Sequence, residues 1–369
     1  MKKILSFASL LAAAVMLISC EETKPDNTVT ATGITLKCDK DVIKCDGTDA
    51  STLTVVTDDG TVVKEGVTFF DGDMNEIIVP DFKFTATEEG TYKLWAAYKT
   101  FNSQQITIQA VNADVPGVAA DPQPSNTSFA KKVFLTQFTG TGCGYCPLMV
   151  QAMNTAFDKG DLRNDVVIAA CHSYNNNDPA YIANPAAGAF GGQGYPYLAV
   201  DMAIGYADYT KVDNLIEVIS KRYAETPKAG ISANPKMHDD QLIVRVSVKA
   251  AESGEYTVGA WLLEDDIYGQ QSDYAGIKNA DKEHDYDTHN NCVRVADSKN
   301  GNSWIGYELG RIEAGKTAEK TFLLKTKKAW KVENMHMAIF VCAKNADGKY
   351  SVNNVVDCAV DAPTPFDYK

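Results

Sequence analysis

Beyond residue 20 the chain has no apolar run long enough to cross a bilayer as a helix. It also lacks a phosphate-binding glycine loop, a Ser-His-Asp order and any basic-aromatic stripe, which removes the common signatures of nucleotide, serine-hydrolase and nucleic-acid chemistry. Basic residues are in the minority. Thirty-five Lys and Arg stand against 48 Asp and Glu, a net charge of −13 that argues against nucleic acid or an anionic membrane surface as partner. Histidine is scarce, five in 369 residues. The cluster His284-x4-His289-x2-Cys292, with Glu283, Asp285 and Asp287 nearby, matches no zinc spacing, so no metal is expected. Asp71-x-Asp73-x-Asn75 lacks the glycine and glutamate of a calcium loop and reads as a turn. No repeat of fixed period appears, and no cofactor is implied.

What is present begins at the N-terminus. Met1-Lys2-Lys3 precedes an apolar stretch from Ile4 to Ser19, the form of a bacterial secretory signal. Leu17-Ile18-Ser19-Cys20 resembles a lipobox, and no small-x-small cleavage site competes with it. Cys20 is therefore expected to be diacylated, with dozens of CH₂ groups at ~0.8 kcal/mol each holding the chain to one leaflet. The lipid anchor is then its only membrane contact. Loss of Lys2 and Lys3 with the signal takes the net charge from −13 to −15. Glu21, Glu22 and the polar run to Thr32 read as a solvated tether.

About 350 mature residues exceed what one core usually supports. Residues 33–112 carry short alternating strands separated by Asp58-Asp59-Gly60, Asp71-Gly72-Asp73 and Glu88-Glu89-Gly90, which predicts an immunoglobulin-like β-sandwich. Residues 113–130, with Pro116, Pro122 and Pro124, read as a linker. Residues 131–226 change period. Val133–Phe138, Asp165–Ala170 and Tyr197–Val200 are buried-type strands, and Met149, Val150, Met153, Ala156 and Phe157 share one helical face, the pattern of an α/β unit. Residues 227–369 return to strands, with an Asp347-Gly348 hairpin signal and a polar, acidic loop over 268–288. The fold class is thus multidomain, β + α/β + β, closing on a C-terminal immunoglobulin-like β-sandwich.

Nine cysteines are distributed along this plan. Cys143-Gly144-Tyr145-Cys146 sits where the first α/β strand ends and the helix begins, so its first sulfur meets unpaired N–H groups and the positive end of the helix dipole, which lower a thiol pKa. Pro147 suits the first helical turn. Cys171-His172 ends the next strand. His172 is a candidate for tuning the thiolate, while Cys171 is expected to be a packed free thiol. Cys38 and Cys45 bracket a turn and are expected to form a local disulfide in an oxidising compartment. Cys342 and Cys358 cannot bond each other in either hairpin register, a two-residue loop or the three-residue loop Ala346 to Gly348, so Cys292 is expected to pair with one of them.

The strand–CxxC–helix unit followed by Gly194-Tyr195-Pro196 before a strand resembles the thioredoxin superfamily. The resemblance implies Cys143 as attacking thiol, Cys146 as resolving thiol and Pro196 as a cis-proline facing them. Gly142 stands where such proteins usually carry tryptophan, and Gln137 where they carry a buried carboxylate; an amide cannot serve as a base. With Phe138-Thr139-Gly140 before the CxxC and a lipobox, nearly the whole mature chain is similar to a Bacteroidetes outer-membrane lipoprotein family with a thioredoxin-like core. The resemblance implies an outer-membrane, lipid-anchored protein on the periplasmic face or cell surface.

Two functions follow as expectations. One is thiol-disulfide exchange on exported proteins through a redox-active Cys143–Cys146 centre, with Tyr145 and Tyr195 as a peptide-contacting rim. The other is a non-enzymatic surface module that binds an envelope protein or glycan, its CxxC disulfide being structural.

Overall fold

A computed structural model describes residues 32–183, 192, 194–299 and 304–369. The signal segment, Cys20 and all of the tether except Thr32 lie outside them. The chain is mostly β.

The N-terminal sandwich has β1 (Ile34–Cys38), β2 (Val42–Lys44), β3 (Ser51–Thr57), β4 (Val62–Val63), β5 (Val67–Asp71), β6 (Glu76–Ile77), β7 (Lys83–Phe84), β8 (Gly90–Tyr98), β9 (Phe101–Asn102) and β10 (Ile106–Val111). One sheet runs β1-β3-β4 with β7 on β3; the other runs β2-β10-β8-β5-β6 with β9 on β8. Alternate residues such as Leu36, Leu53, Val55, Leu94, Ala96 and Ile108 face inward and form its core. Cys38 and Cys45 are both free, which corrects the disulfide expected from their spacing. Cys38 ends β1 opposite Leu53, whereas Cys45 follows β2 and donates its N–H to Val111 O in the other sheet. The intervening turn crosses between sheets instead of returning along one.

The 113–130 segment lies along the C-terminal sandwich. Lys249 Nζ reaches Pro124 O at 2.6 Å and Asp121 Oδ2 at 3.0 Å, and Phe129 is buried against Phe366 and Tyr368. Asp41 of the first sandwich accepts from Lys320 Nζ at 2.7 Å.

Next come β11 (Val133–Thr139), α1 (Cys146–Gly160), β12 (Val166–His172), β13 (Tyr197–Val200), β14 (Ile204–Tyr206) and α2 (Val212–Tyr223). β11 is buried at all seven positions, Thr136, Gln137 and Thr139 included, as in a strand covered on both faces. It pairs in parallel with β12 and antiparallel with β13. Met149, Met153, Ala156 and Phe157 turn α1 onto Val133, Leu135, Leu198 and Val200, beside α2.

The remaining strands are β15 (Ala229–His238), β16 (Gln241–Ala250), β17 (Gly254–Glu264), β18 (Ile267–Tyr268), β19 (Thr288–His289), β20 (Cys292–Asp297), β21 (Tyr307–Ile312), β22 (Thr317–Lys325), β23 (Met335–Lys344) and β24 (Tyr350–Ala359), with the one-turn α3 (Ile277–Ala280) inside the acidic loop. β15-β16-β22 form one layer. The facing layer is continuous with the α/β segment: a nine-stranded sheet runs β14-β13-β11-β12-β20-β17-β23-β24, with β21 on β17. The join is narrow, Ala170 against Cys292.

A bulge shapes the last hairpin. Asn345 N–H bonds Lys349 O around Ala346–Gly348, and Cys342 faces Val352 while Val341 faces Asn354. The extra residue turns Cys342 and Cys358 into different cores. Cys292, Cys342 and Cys358 are all free, correcting the pairing expected for Cys292. Cys292 lies opposite Glu264 on β17 and Cys342 opposite Thr257, seven residues or roughly 23 Å along that strand. Cys358 is three strands from Cys292.

Candidate functional site

Cys143 and Cys146 form a disulfide at the N-terminus of α1. Both residues are buried, at 3% and 1% exposure. What covers them comes from a distant part of the sequence. The loop between β18 and β19 folds over the CxxC turn: Ser272 N–H donates to Thr141 O at 2.7 Å and Tyr274 N–H to Gly144 O at 2.8 Å. The buried Gln271 side chain places its amide among turn carbonyls, 2.9 Å from Cys143 O and 3.3 Å from both Gly140 O and Thr141 O. The loop is itself braced, since Asp287 accepts from Gln271 N at 2.8 Å and from Lys278 Nζ at 2.5 Å.

Two glycines make this closeness feasible. A Cβ on Gly144 would sit 2.3 Å from the Tyr274 ring, and one on Gly142 would sit 2.8 Å from Asn175 Oδ1, whose oxygen accepts the Gly142 N–H at 3.1 Å. A second loop, around Asn175, therefore closes on the turn at Gly142.

His172 is buried and its Nδ1 lies 2.9 Å from Asp178 Oδ2. The same oxygen accepts the Thr141 N–H at 2.6 Å, so the imidazole is tied to the CxxC turn through a carboxylate. Burial works against the Asp178 anion, but the His172 bond and the N–H groups of Thr141 and Ala180 hold its pKa down at about 2. His172 stacks edge-on against His289, whose Nε2–H meets Gly269 O at 2.8 Å. Burial, then the neighbouring His172, pushes the His289 pKa down. His284 is bound to Asp281 instead, and no group of three or more metal-ligating side chains converges among the described residues.

The Tyr195–Pro196 peptide is cis and leads into β13, which pairs with β11. Tyr195 and Tyr145 have different partners. Tyr195 stacks edge-on with Tyr174 and bonds Ser173 Oγ at 2.9 Å, while the exposed Tyr145 stacks edge-on with Tyr274. Cys171 is buried and free, and burial raises its thiol pKa along with those of Cys292, Cys342 and Cys358, the last two to about 12. Asp178, Gln271 and Tyr274 are the residues that sequence reasoning missed. Asp178 is six residues from His172 in a polar stretch, and the other two belong to a loop with no local sign of its target.

Gln137 supplies a further feature. It is 6% exposed and its Nε2 has no hydrogen-bond partner. It lines a cleft of about 640 Å³ together with His172, His289, Val150 and Met153.

No helix among the described residues is long and apolar enough to cross a membrane. No curated protein matches the chain. Among solved structures it is similar to HBP35 of Porphyromonas gingivalis, at 16% identity and a TM-score of 0.49 over 65% of this chain and 78% of that one. A DUF3823 family protein from Bacteroides ovatus matches at 10% identity and a TM-score of 0.19, covering 89% of this chain and 99% of that one. Residues 184–363 match the model of the outer membrane protein Omp28 family, which places the chain at the outer membrane.

Proposed function

We propose that the chain is a lipid-anchored binding module of the outer membrane, built on a thioredoxin-like core whose Cys143–Cys146 disulfide is structural. The observation that carries this reading is the burial of both cysteines beneath the Gln271–Tyr274 loop. A nucleophilic thiol must meet its substrate disulfide in line, and a covered pair meets nothing. Gln137 supports the same reading, because an amide on the strand that leads into the CxxC turn moves no proton. The tyrosines exposed around the turn, Tyr145, Tyr174 and Tyr274, supply a contact face for an envelope protein or glycan.

The test is the reduction potential of the Cys143–Cys146 pair in the folded protein. A value below about −300 mV is expected for a structural bond. A value in the range of about −120 to −270 mV, with a mixed disulfide trapped by Cys146→Ser, would instead establish exchange. The anchor is tested separately: Cys20→Ser should move the protein from the membrane to the soluble fraction.

The second reading is exchange on exported proteins, favoured by the parallel β11–β12 pair that delivers Cys143 to the start of α1. In that reading the loop first lifts. A dithiol reductant of the envelope then reduces the Cys143–Cys146 bond and leaves as its own disulfide, and the freed Cys143 thiolate attacks a substrate disulfide and expels one substrate thiolate. Cys146 next attacks the mixed disulfide, leaving the substrate reduced and the pair oxidised.

A further inference from the structure

β12 is fully paired on one side only. β11 matches it from Val166 to His172, whereas on the other side β20 meets it at Ala170, where the Ala170 N–H reaches Asn291 O at 2.7 Å, and Tyr181 bridges His172, whose C=O accepts the Ile182 N–H at 2.9 Å. In a parallel ladder a residue turns both its N–H and its C=O to the same side, and successive residues alternate. Ala170 faces outward, so Ile168 does too. Its N–H and C=O have no strand partner among the described residues. The edge is thus taken at Ala170 and His172 and open at Ile168, and an open backbone pair is a template for pairing.

This edge opens onto the cleft of about 640 Å³, of which Ile168 and Ala170 are part. α1 contributes Val150, Met153 and Phe157 to the cleft, and the orphaned Gln137 amide lies in its lining. A buried donor without an acceptor costs about 1–3 kcal/mol, an expense that a bound acceptor removes.

We propose that this cleft binds an extended peptide of another protein, which adds to the free edge of β12 at Ile168 and sets an acceptor side chain on the Gln137 amide. The backbone pair at Ile168 matches a strand, and the apolar side chains of α1 suit alternate residues of that strand. Charge selects among peptides. Asp266, Glu283 and Asp285 line the cleft, while its Arg163 is already tied to Asp158 at 2.8 Å, so basic peptide residues are favoured. The proposal deepens the binding-module reading and rests on it. The disulfide potential is measured independently, so failure of one is distinguishable from failure of the other.

The probe is a fluorescein-labelled, capped heptapeptide with terminal lysines and alternating valine and glutamine between them, titrated into the mature protein. Two twins carry N-methyl groups, one on each strand edge. The parent should bind saturably with Kd below about 1 mM, and one twin alone should lose about tenfold or more, because only one peptide edge can face Ile168. Ile168→Pro deletes the outward N–H without touching the β11 ladder and should reproduce that loss. Gln137→Leu should weaken binding about three- to tenfold while leaving thermal stability equal or higher. No saturable binding, equal binding of both twins, or displacement of the probe by maltoheptaose but not by unlabelled peptide would overturn the proposal.

Discussion

Replacing Gln271 by alanine should unlatch the cover over the disulfide. The side chain is 7% exposed and its amide lies within 3.3 Å of Gly140, Thr141, Cys143 and Ser272 carbonyl oxygens. One amide has two N–H groups, so it satisfies two of these acceptors well at a time. At about 1 kcal/mol each, the substitution removes roughly 2 kcal/mol from the closed state of the loop. The open population then rises about 30-fold, since 1.4 kcal/mol corresponds to a factor of ten. When the loop recloses faster than reductant attacks, the rate of disulfide reduction follows that population. The assay is a dithiothreitol time course quenched with iodoacetamide, scoring the peptide that carries Cys143 and Cys146. Gln271→Ala should be reduced about 10- to 50-fold faster than the parent under native conditions and at the same rate in guanidinium. Tyr268→Ala, at an exposed position at the end of β18 where the loop begins, should change nothing. A native rate for Gln271→Ala within twofold of the parent would refute the loop as the barrier.

Other substitutions test the surrounding framework. His336 lies 2.7 Å from Asp357 and 3.5 Å from Asp265; burial alone would lower its pKa, but the two carboxylates override this and raise it to about 9. The folded value exceeds the unfolded one, so its stabilisation is complete below about pH 6.5 and is lost as pH rises through 9; screening of the half-exposed carboxylates holds it to about 1–2 kcal/mol. Urea titrations at pH 6 and 9.5 should differ more for the parent than for His336→Gln, and equal differences would refute the assignment. Asp201 is fully buried, accepts from Phe134 N and Arg222 Nε at 2.8 Å and faces Lys131 at 3.4 Å, so Asp201→Ala should cost about 3–5 kcal/mol in urea unfolding; a loss below about 1 kcal/mol would contradict it. Cys38 has its pKa pushed up to about 11, first by burial and then by Asp41 and Asp39, so at pH 8 it should alkylate about 100-fold more slowly than in the unfolded chain. A Cys38–Cys45 disulfide in the peptide map would contradict the free thiols.

Periodicity was enough to place most elements. The spacing of Met149, Met153, Ala156 and Phe157 locates α1, and the largely apolar stretches at 133–138 and 165–170 locate β11 and β12 to within two residues. The CxxC at a strand-to-helix junction was equally legible, because it depends on neighbours in sequence. Its cover was not. Gln271 reaches the Cys143 carbonyl across 128 residues, and a polar loop has the same composition whether it is solvated or docked. The cysteine pairing failed for a related reason. Spacing predicts closeness only when the chain stays in one sheet, and between Cys38 and Cys45 it changes sheets. The bulge opposite Val341 and Cys342 likewise follows from packing of Asn353 and Asn354, whose oxygens accept the N–H groups of Lys228 and Lys132, and not from any turn signal.

The nine-stranded sheet has a practical corollary for anyone who trims this protein. A fragment ending near residue 226 would keep both sulfurs and every residue that makes the motif recognisable. It would also discard β20, which shields β12 at Ala170, and the lid that comes with it. Such a fragment would present a reducible disulfide to any dithiol in the tube. Turnover measured on it would report the truncation, not the intact chain.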